Sequence, residues 1–444
     1  MSGSAAGRWF VVWGLFLAAP AVGPAAPDAK KASPAPAAWV HWRGPTGQGY
    51  CEDTKVPLTW SEDKNIVWKT ELPGAGNSTP VIWGDRIFLT AADKGGRERY
   101  VLCIRRKDGH ILWKKLAAQD DRPGATHAWN GYASASCTTD GKRVYVFFGT
   151  PGLFCYDVDG KRLWKKTFGV FTSVWGTAAS PFLYEDLVIL NCDNDGPQGL
   201  GLADRGKKTA PMDLIALDKK TGDLRWRAER NMGRGFSTPR LITTAKGRVE
   251  LILNGPQGVW SYNPRTGKEI WHVDRKGDQS RFGEPIPVSS KDTLYVASGR
   301  PGPMQAIRLG GSGDVTKSHV LWKTPRKGRD VSSHMLWNGL LYAVDREAML
   351  TCYDVKDGSV VINRKRLAPG TNALASPVAV RGKLLFVLDT GLALLIEPGR
   401  TLKIVGRNKL GDGSKFNFGA SPVIVEGQLF LRSQSHLYCI GEKK

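Results

Sequence analysis

The sequence predicts an all-β fold, an eight-bladed β-propeller of four-stranded antiparallel blades, closed by N- and C-terminal strands that share one blade. Three observations predict it. A tryptophan returns in a constant setting: NIVWKTEL at Trp68, HILWKKL at Trp113, KRLWKKTF at Trp164, DLRWRAE at Trp226, KEIWHV at Trp271 and HVLWKT at Trp322. Successive copies lie 45, 51, 62, 45 and 51 residues apart, near the blade period of about 40 to 50 residues. A second signature opens each unit, at Pro80, Cys137, Pro181, Pro239, Pro287, His334, Pro377 and Pro422. Third, the ends are out of phase in a complementary way: Trp68 precedes the first opener, and no anchor follows the last one at Pro422.

Taken in order, residues 1–26 read as an export signal, with Arg8 ahead of an apolar run from Trp9 to Ala19 and small residues at Ala19, Ala21 and Ala25. The run is too short to span a bilayer, so no transmembrane segment is expected after signal removal, and the protein is expected to be periplasmic or secreted. Residues 27–38, rich in Ala and Pro, read as a linker. Residues 39–444 form the propeller. Its 52 glycines and 26 prolines suit many tight turns.

Within each unit a turn such as WGDR, DGKR or VEGQ follows the opener. Next come an apolar strand such as IFLT or VYVFF, another strand ending near Asp, and a turn like KDG or KTG ahead of the anchor. The pattern outlasts the tryptophans, placing Ile362 and Val405 at the seventh and eighth anchors. The strand around Ile66 to Thr70 then completes the blade of residues 418–440, leaving no open sheet edge between blades. Four of the seven cysteines are explained by the same period: Cys103, Cys155, Cys352 and Cys439 share one position with Ala216, Ser261 and Ala306, as small core residues do. Cys51, Cys137 and Cys192 remain, with their pairing open.

The units LDKKTGDLRW, YNPRTGKEIW and YDVDGKRLW, together with the opening WVHWRGPTGQG, resemble the bacterial β-propellers of pyrroloquinoline-quinone-type repeats. That family includes the quinoprotein dehydrogenases and the propeller of the outer-membrane barrel-assembly machinery. The resemblance covers residues 39 to the C-terminus and implies that the tryptophans dock between neighbouring blades. In the family's dehydrogenases the quinone is held with calcium and, in many, against a disulfide of adjacent cysteines. This sequence has no adjacent cysteine pair, so no cofactor is expected.

Strand order puts short turns on one face of the ring and long connections on the other. Segment 117–134 and the insertion 193–211 both fall on the second face, where binding groups concentrate. The residues just before the openers are expected to ring the channel mouth as a ligand-binding set: Asn77, Asn130, Tyr132, Trp175, Arg234, Arg281, Asp330, Asn372 and Asn417. Their amides, arginines and aromatics suit a polar or anionic ligand.

No H-E-x-x-H, G-x-S-x-G, C-x-x-C or Walker motif is present. Asp193, Asp195 and Gly196 begin a calcium-like loop without its closing glutamate. Neither catalytic nor metal-ligating residues are therefore assigned. The 63 basic against 41 acidic residues give a formal +22, much of it in outer strands and turns. There lysine discourages edge-to-edge pairing. Export makes nucleic acid an unsuitable partner. The expected function is a non-catalytic, protein-binding or envelope scaffold, with an anionic polysaccharide as a further candidate partner. The alternatives are a quinone-dependent oxidoreductase and a carbohydrate-binding propeller.

Overall fold

Two kinds of strand build this molecule, and burial separates them. The second and third strands of a unit are apolar on both faces, as in Arg86–Ala92 and Leu153–Asp157, because a neighbouring blade covers each side. The fourth strands alternate, as in Ile111–Gln119, because one face meets solvent. In the computed structural model, which describes residues 1, 37–50, 55–121, 123–199, 206–278, 282–299, 302–325 and 331–442, these strands form eight antiparallel sheets arranged as propeller blades. The expected signal, Cys51, Arg281 and Asp330 lie outside the described residues.

Blades 1 to 7 follow chain order, and blade 8 combines Val423–Val425, Gln428–Arg432 and His436–Ile440 with Ile66–Glu71. Lys69 lies opposite Tyr438 and Glu71 opposite His436, so the N-terminal strand closes the ring as the phase of the repeat predicts. No helix of the described residues is long and apolar enough to cross a membrane.

The tryptophans are cement, and their mortar is a glycine. Each docks beneath the turn between third and fourth strands of the next blade: Trp68 under Gly109, Trp113 under Gly160, Trp164 under Gly222, Trp226 under Gly267 and Trp322 under Gly358. A Cβ on any of these glycines would stand 2.4 to 2.8 Å from the nearest atom of that packing, and their φ values run from +71° to +88°. Close approach and left-handed backbone thus both demand glycine. Each indole also donates to a carbonyl of the same turn, Trp68 to Arg106 at 2.9 Å and Trp322 to Val355 at 3.0 Å.

Trp271 departs from this rule. Its indole donates to Glu250 of its own blade at 2.7 Å, and Gly313–Asp314 of blade 5 pairs in parallel beside it in place of a glycine turn.

Register settles the small-residue position. Cys103, Cys155, Ala216, Ser261, Ala306, Cys352 and Cys439 each face the anchor of the adjacent fourth strand. The eighth anchor needs correction: Gly406, not Val405, lies opposite Leu395. Val405 is 44% exposed. An added Cβ on Gly406 would sit 2.9 Å from Leu395 Cδ1, so the leucine fills space that a tryptophan takes elsewhere. Cys137 and Cys192 are buried and unpaired.

Candidate functional site: the channel and its mouth

The inner strands place alternate residues toward the axis, so each opener contributes two layers to the channel wall. The lower layer is a ring of hydroxyls. The Thr79 amide donates to Ser136 Oγ at 2.9 Å, Ser136 to Ser180 at 2.9 Å, and Ser180 to Thr238 Oγ1 at 3.0 Å. Ile286, Ser333 and Ser376 continue the pattern, donating to Ser333, Ser376 and Ser421 at 3.0, 2.9 and 3.0 Å. Blade 5 interrupts the ring because Ile286 supplies no hydroxyl for Thr238. None of the seven hydroxyls donates to an acceptor among the described residues.

Two residues earlier in each opener lies the upper layer: Asn77, Ser134, Ala178, Phe236, Glu284, Val331, Leu374 and Gly419. It is small or polar across blades 8, 1, 2 and 3 and bulky across blades 4 to 7. Above the small side stand His127, Trp129, Asn130 and Trp175, from the connections between blades 1, 2 and 3. The cavity, open at the mouth, measures about 160 Å³.

Its floor comes from the chain's start. Residues 38–50 cross the channel like a cork and touch all eight blades. Trp39 pairs with Ile82, and Val40 accepts from the Thr139 amide at 3.0 Å. The His41 ring meets Phe182 at 5.2 Å, and Gly47 packs against the Arg240 side chain. Gln48 accepts from the Ser289 amide at 2.8 Å. Arg43 donates to the carbonyls of Pro377 at 2.6 Å, Gln48 at 2.6 Å and His334 at 3.0 Å. Trp42 donates to Ser421 Oγ at 3.4 Å and forms the cavity floor. Burial pulls the Arg43 guanidinium down to about 9, with Tyr50 opposing the shift and Arg240 adding to it.

An aromatic arc runs around the mouth. His127 lies 4.7 Å from Trp129 and 4.8 Å from Trp175, Trp129 reaches Phe416 at 5.9 Å, and Trp175 meets Phe282 edge-on at 5.7 Å. Phe236 stacks on Phe282 at 6.3 Å. The guanidinium of Arg346 lies over Trp129 at 4.9 Å and that of Arg234 over Phe282 at 5.5 Å.

Of the nine residues that sequence reasoning places at the mouth, Asn77, Asn130 and Trp175 line the cavity. Both amides also work as ties: Asn77 donates to the carbonyls of Trp129 at 2.9 Å and Asn130 at 3.0 Å, and Asn130 to Trp175 at 2.6 Å. Arg234 stands on the rim, paired with Asp195 at 3.1 Å. Tyr132 lies in a separate groove with Arg99 over its ring at 4.5 Å. Asn372 is bonded to Asp389 at 2.7 Å, and Asn417 accepts from the Gln434 amide at 3.1 Å. The insertion is anchored at its stem by a wholly buried pair, Arg230 and Asp193, joined at 2.9 and 3.0 Å. Among the described residues no cluster of His, Cys, Asp or Glu could hold a metal ion.

Sequence reasoning missed the hydroxyl ring, Trp42, Trp129 and Glu284. The ring had a signal, since seven of the eight openers carry Ser or Thr at one position. The cork had none, because nothing local says where WVHWRGPTGQG docks.

Comparison with known proteins places this geometry. The sequence profile of one protein family, that of the outer membrane protein assembly factor BamB, matches residues 54–130, 97–364, 208–404 and 255–442. A curated relative, tetrathionate hydrolase of Acidithiobacillus ferrooxidans, is 27% identical over 248 residues, covering 53% of this chain and 44% of its own length. The chain thus spans less than half of that protein. Among solved structures, BamB from Moraxella catarrhalis is similar with a TM-score of 0.59 at 12% identity, over 85% of this chain and 99% of its own. A europium-containing methanol dehydrogenase reaches a TM-score of 0.66 at 12% identity, over 92% and 98%. At such identity these two likenesses are of fold.

Proposed function

This chain belongs to the family of the outer membrane protein assembly factor BamB, and from that premise we propose that it is an exported, non-catalytic propeller that holds an envelope protein against its loop-bearing face. The observation that carries this reading is the arc of six aromatic rings, contributed by five interblade connections and backed by stacked Arg234 and Arg346. Aromatic residues and arginine are the groups that anchor protein interfaces, and rigid anchors lose little entropy on binding. The opposite face offers short turns among the described residues, apart from the connection 309–319 of blade 5, which packs against the neighbouring blade.

Site-specific photocrosslinking in the producing cell tests the reading. A photoreactive residue at Val174, 60% exposed beside Trp175, is expected to give a discrete protein adduct. The same residue at exposed Lys356, in a short turn of the other face, is expected to give none. Adducts from Lys356 alone, or from neither position, would sink the reading.

A further inference from the structure

We infer that the channel cavity binds the terminal ring of a neutral glycan, a role that goes beyond the docking of a protein partner. The chemistry of the wall selects this class. Among the described residues the lining carries one carboxylate, Glu284, and no lysine or arginine. A phosphate or carboxylate ligand would therefore meet no countercharge from the described residues of the lining, at the cost of its hydration.

The base instead presents neutral hydroxyls. Each accepts one backbone N–H from the adjacent blade, as Ser136 does from Thr79 at 2.9 Å, and keeps its own proton to donate. A sugar hydroxyl both donates and accepts, so a rotating serine or threonine hydroxyl can answer it in either role.

The upper levels supply apolar surface for the C–H faces of a sugar ring. Trp175 and Trp129 overhang the small side formed by Ser134 and Ala178, while Phe236 and Leu374 wall the other side. A saturated ring with polar edges and apolar faces matches a cavity that sets a band of hydroxyls between the Trp42 floor and the aromatic rings at its mouth.

The cork decides which part of a glycan fits. Trp42 closes the floor and is tied to Ser421 at 3.4 Å, so a polymer cannot thread the channel. Only a chain end can reach the hydroxyl ring.

The test is calorimetry and tryptophan fluorescence on the intact protein. The probes are a panel of neutral mono- and disaccharides, a neutral oligosaccharide with free or chemically blocked ends, an organic ammonium ion and a short peptide. At least one neutral sugar is expected to bind, and its affinity to fall by about tenfold or more in Ala178→Phe, which fills the small side, at unchanged melting temperature. Trp175→Ala, which leaves the hydroxyl ring intact, is expected to weaken the same sugar. Blocking the oligosaccharide ends is expected to abolish its binding. Three outcomes overturn the inference: no neutral sugar binds, Ala178→Phe binds as wild type, or only the ammonium ion or the peptide binds. None of them bears on crosslinking from Val174, so the two readings fail separately.

Discussion

The backbone N–H of Ser421 donates to Thr79 Oγ1 at 3.2 Å, across 342 residues of chain. This bond joins the first opener to the last, so that the run of hydroxyls passes unbroken from blade 8 to blade 1 and is interrupted at blade 5 alone. Shared strands close the propeller at its outer edge, and the Ser421 to Thr79 bond closes it again at the axis.

Replacing Thr79 with Val keeps the shape but leaves the buried Ser421 amide without its acceptor, which costs about 1–3 kcal/mol. Thr79→Ser retains the acceptor and is expected to lose less than Thr79→Val. Denaturant unfolding of the two variants checks the order, and equal losses would mean that the hydroxyl contributes nothing to closure.

Gly222 carries a similar argument for the outer cement. Its φ is +76°, and a Cβ there would lie 2.9 Å from Trp164 Cδ2. Gly222→Ala therefore combines a strained backbone with a clash, and is expected to lower stability by about 1–3 kcal/mol. At Gly382, φ +72° with open space around the site, the same substitution meets backbone strain alone. Melting temperatures should fall further for Gly222→Ala than for Gly382→Ala.

Periodicity made the propeller legible because tryptophan, glycine turn and opener are each imposed by blade-to-blade packing, which recurs at every junction. The eighth anchor was misplaced by one residue because glycine stands there: the bulge beside it recurs at the other anchors, but Gly406 offers no bulky side chain to mark the position, and Val405 next to it does. The site was half legible. Asn77, Asn130 and Trp175 sit at the channel because they precede openers, whereas Asn372 and Asn417 precede openers yet turn to Asp389 and Gln434. Trp42 was invisible as a floor because its position depends on contacts with all the blades at once.

Arg43 is what holds that floor. Three carbonyls from two blades and the cork itself converge on it. Arg43→Met leaves the buried carbonyls of Pro377 and His334 and the half-buried one of Gln48 without this donor, each buried one worth about 1–3 kcal/mol, offset in part by the arginine's own desolvation. The expected net loss is about 3 kcal/mol. Arg43→Lys is not expected to rescue it, since an ammonium lacks the planar fork that spans these acceptors. Limited proteolysis should then cut first within residues 39–50, and unchanged protection would show that the cork is held elsewhere.

Buried thiols give a simple readout of the small-residue position. Burial pushes Cys103, Cys155, Cys352 and Cys439 up to about 12, with nearby charges or hydrogen-bonding groups modulating the shift, and Cys137 and Cys192 are raised as well. The thiolate is the reactive form, so these six are expected to be inert to a thiol reagent at pH 8 and to react together on unfolding. Titration of native and denatured protein checks this. Rapid reaction of two or more thiols in the native state would contradict it, Cys51 accounting for one at most.

Acid stability turns on Asp140, which joins blade 2 to blade 3. Burial raises its carboxyl, but the amides of Arg143 and Lys142 and the Lys219 ammonium, 3.2 Å away, outweigh that and hold it below the usual carboxylate range. A carboxylate whose folded pKa is depressed stabilises the native state above its unfolded pKa, about 3.9, and loses that contribution as pH falls through the lower folded value. The melting temperature of wild type should therefore exceed that of Asp140→Asn at pH 6, and the gap should narrow progressively below about pH 4. A gap that stays constant down to pH 2.5 would mean that the charge on Asp140 is not what ties the two blades.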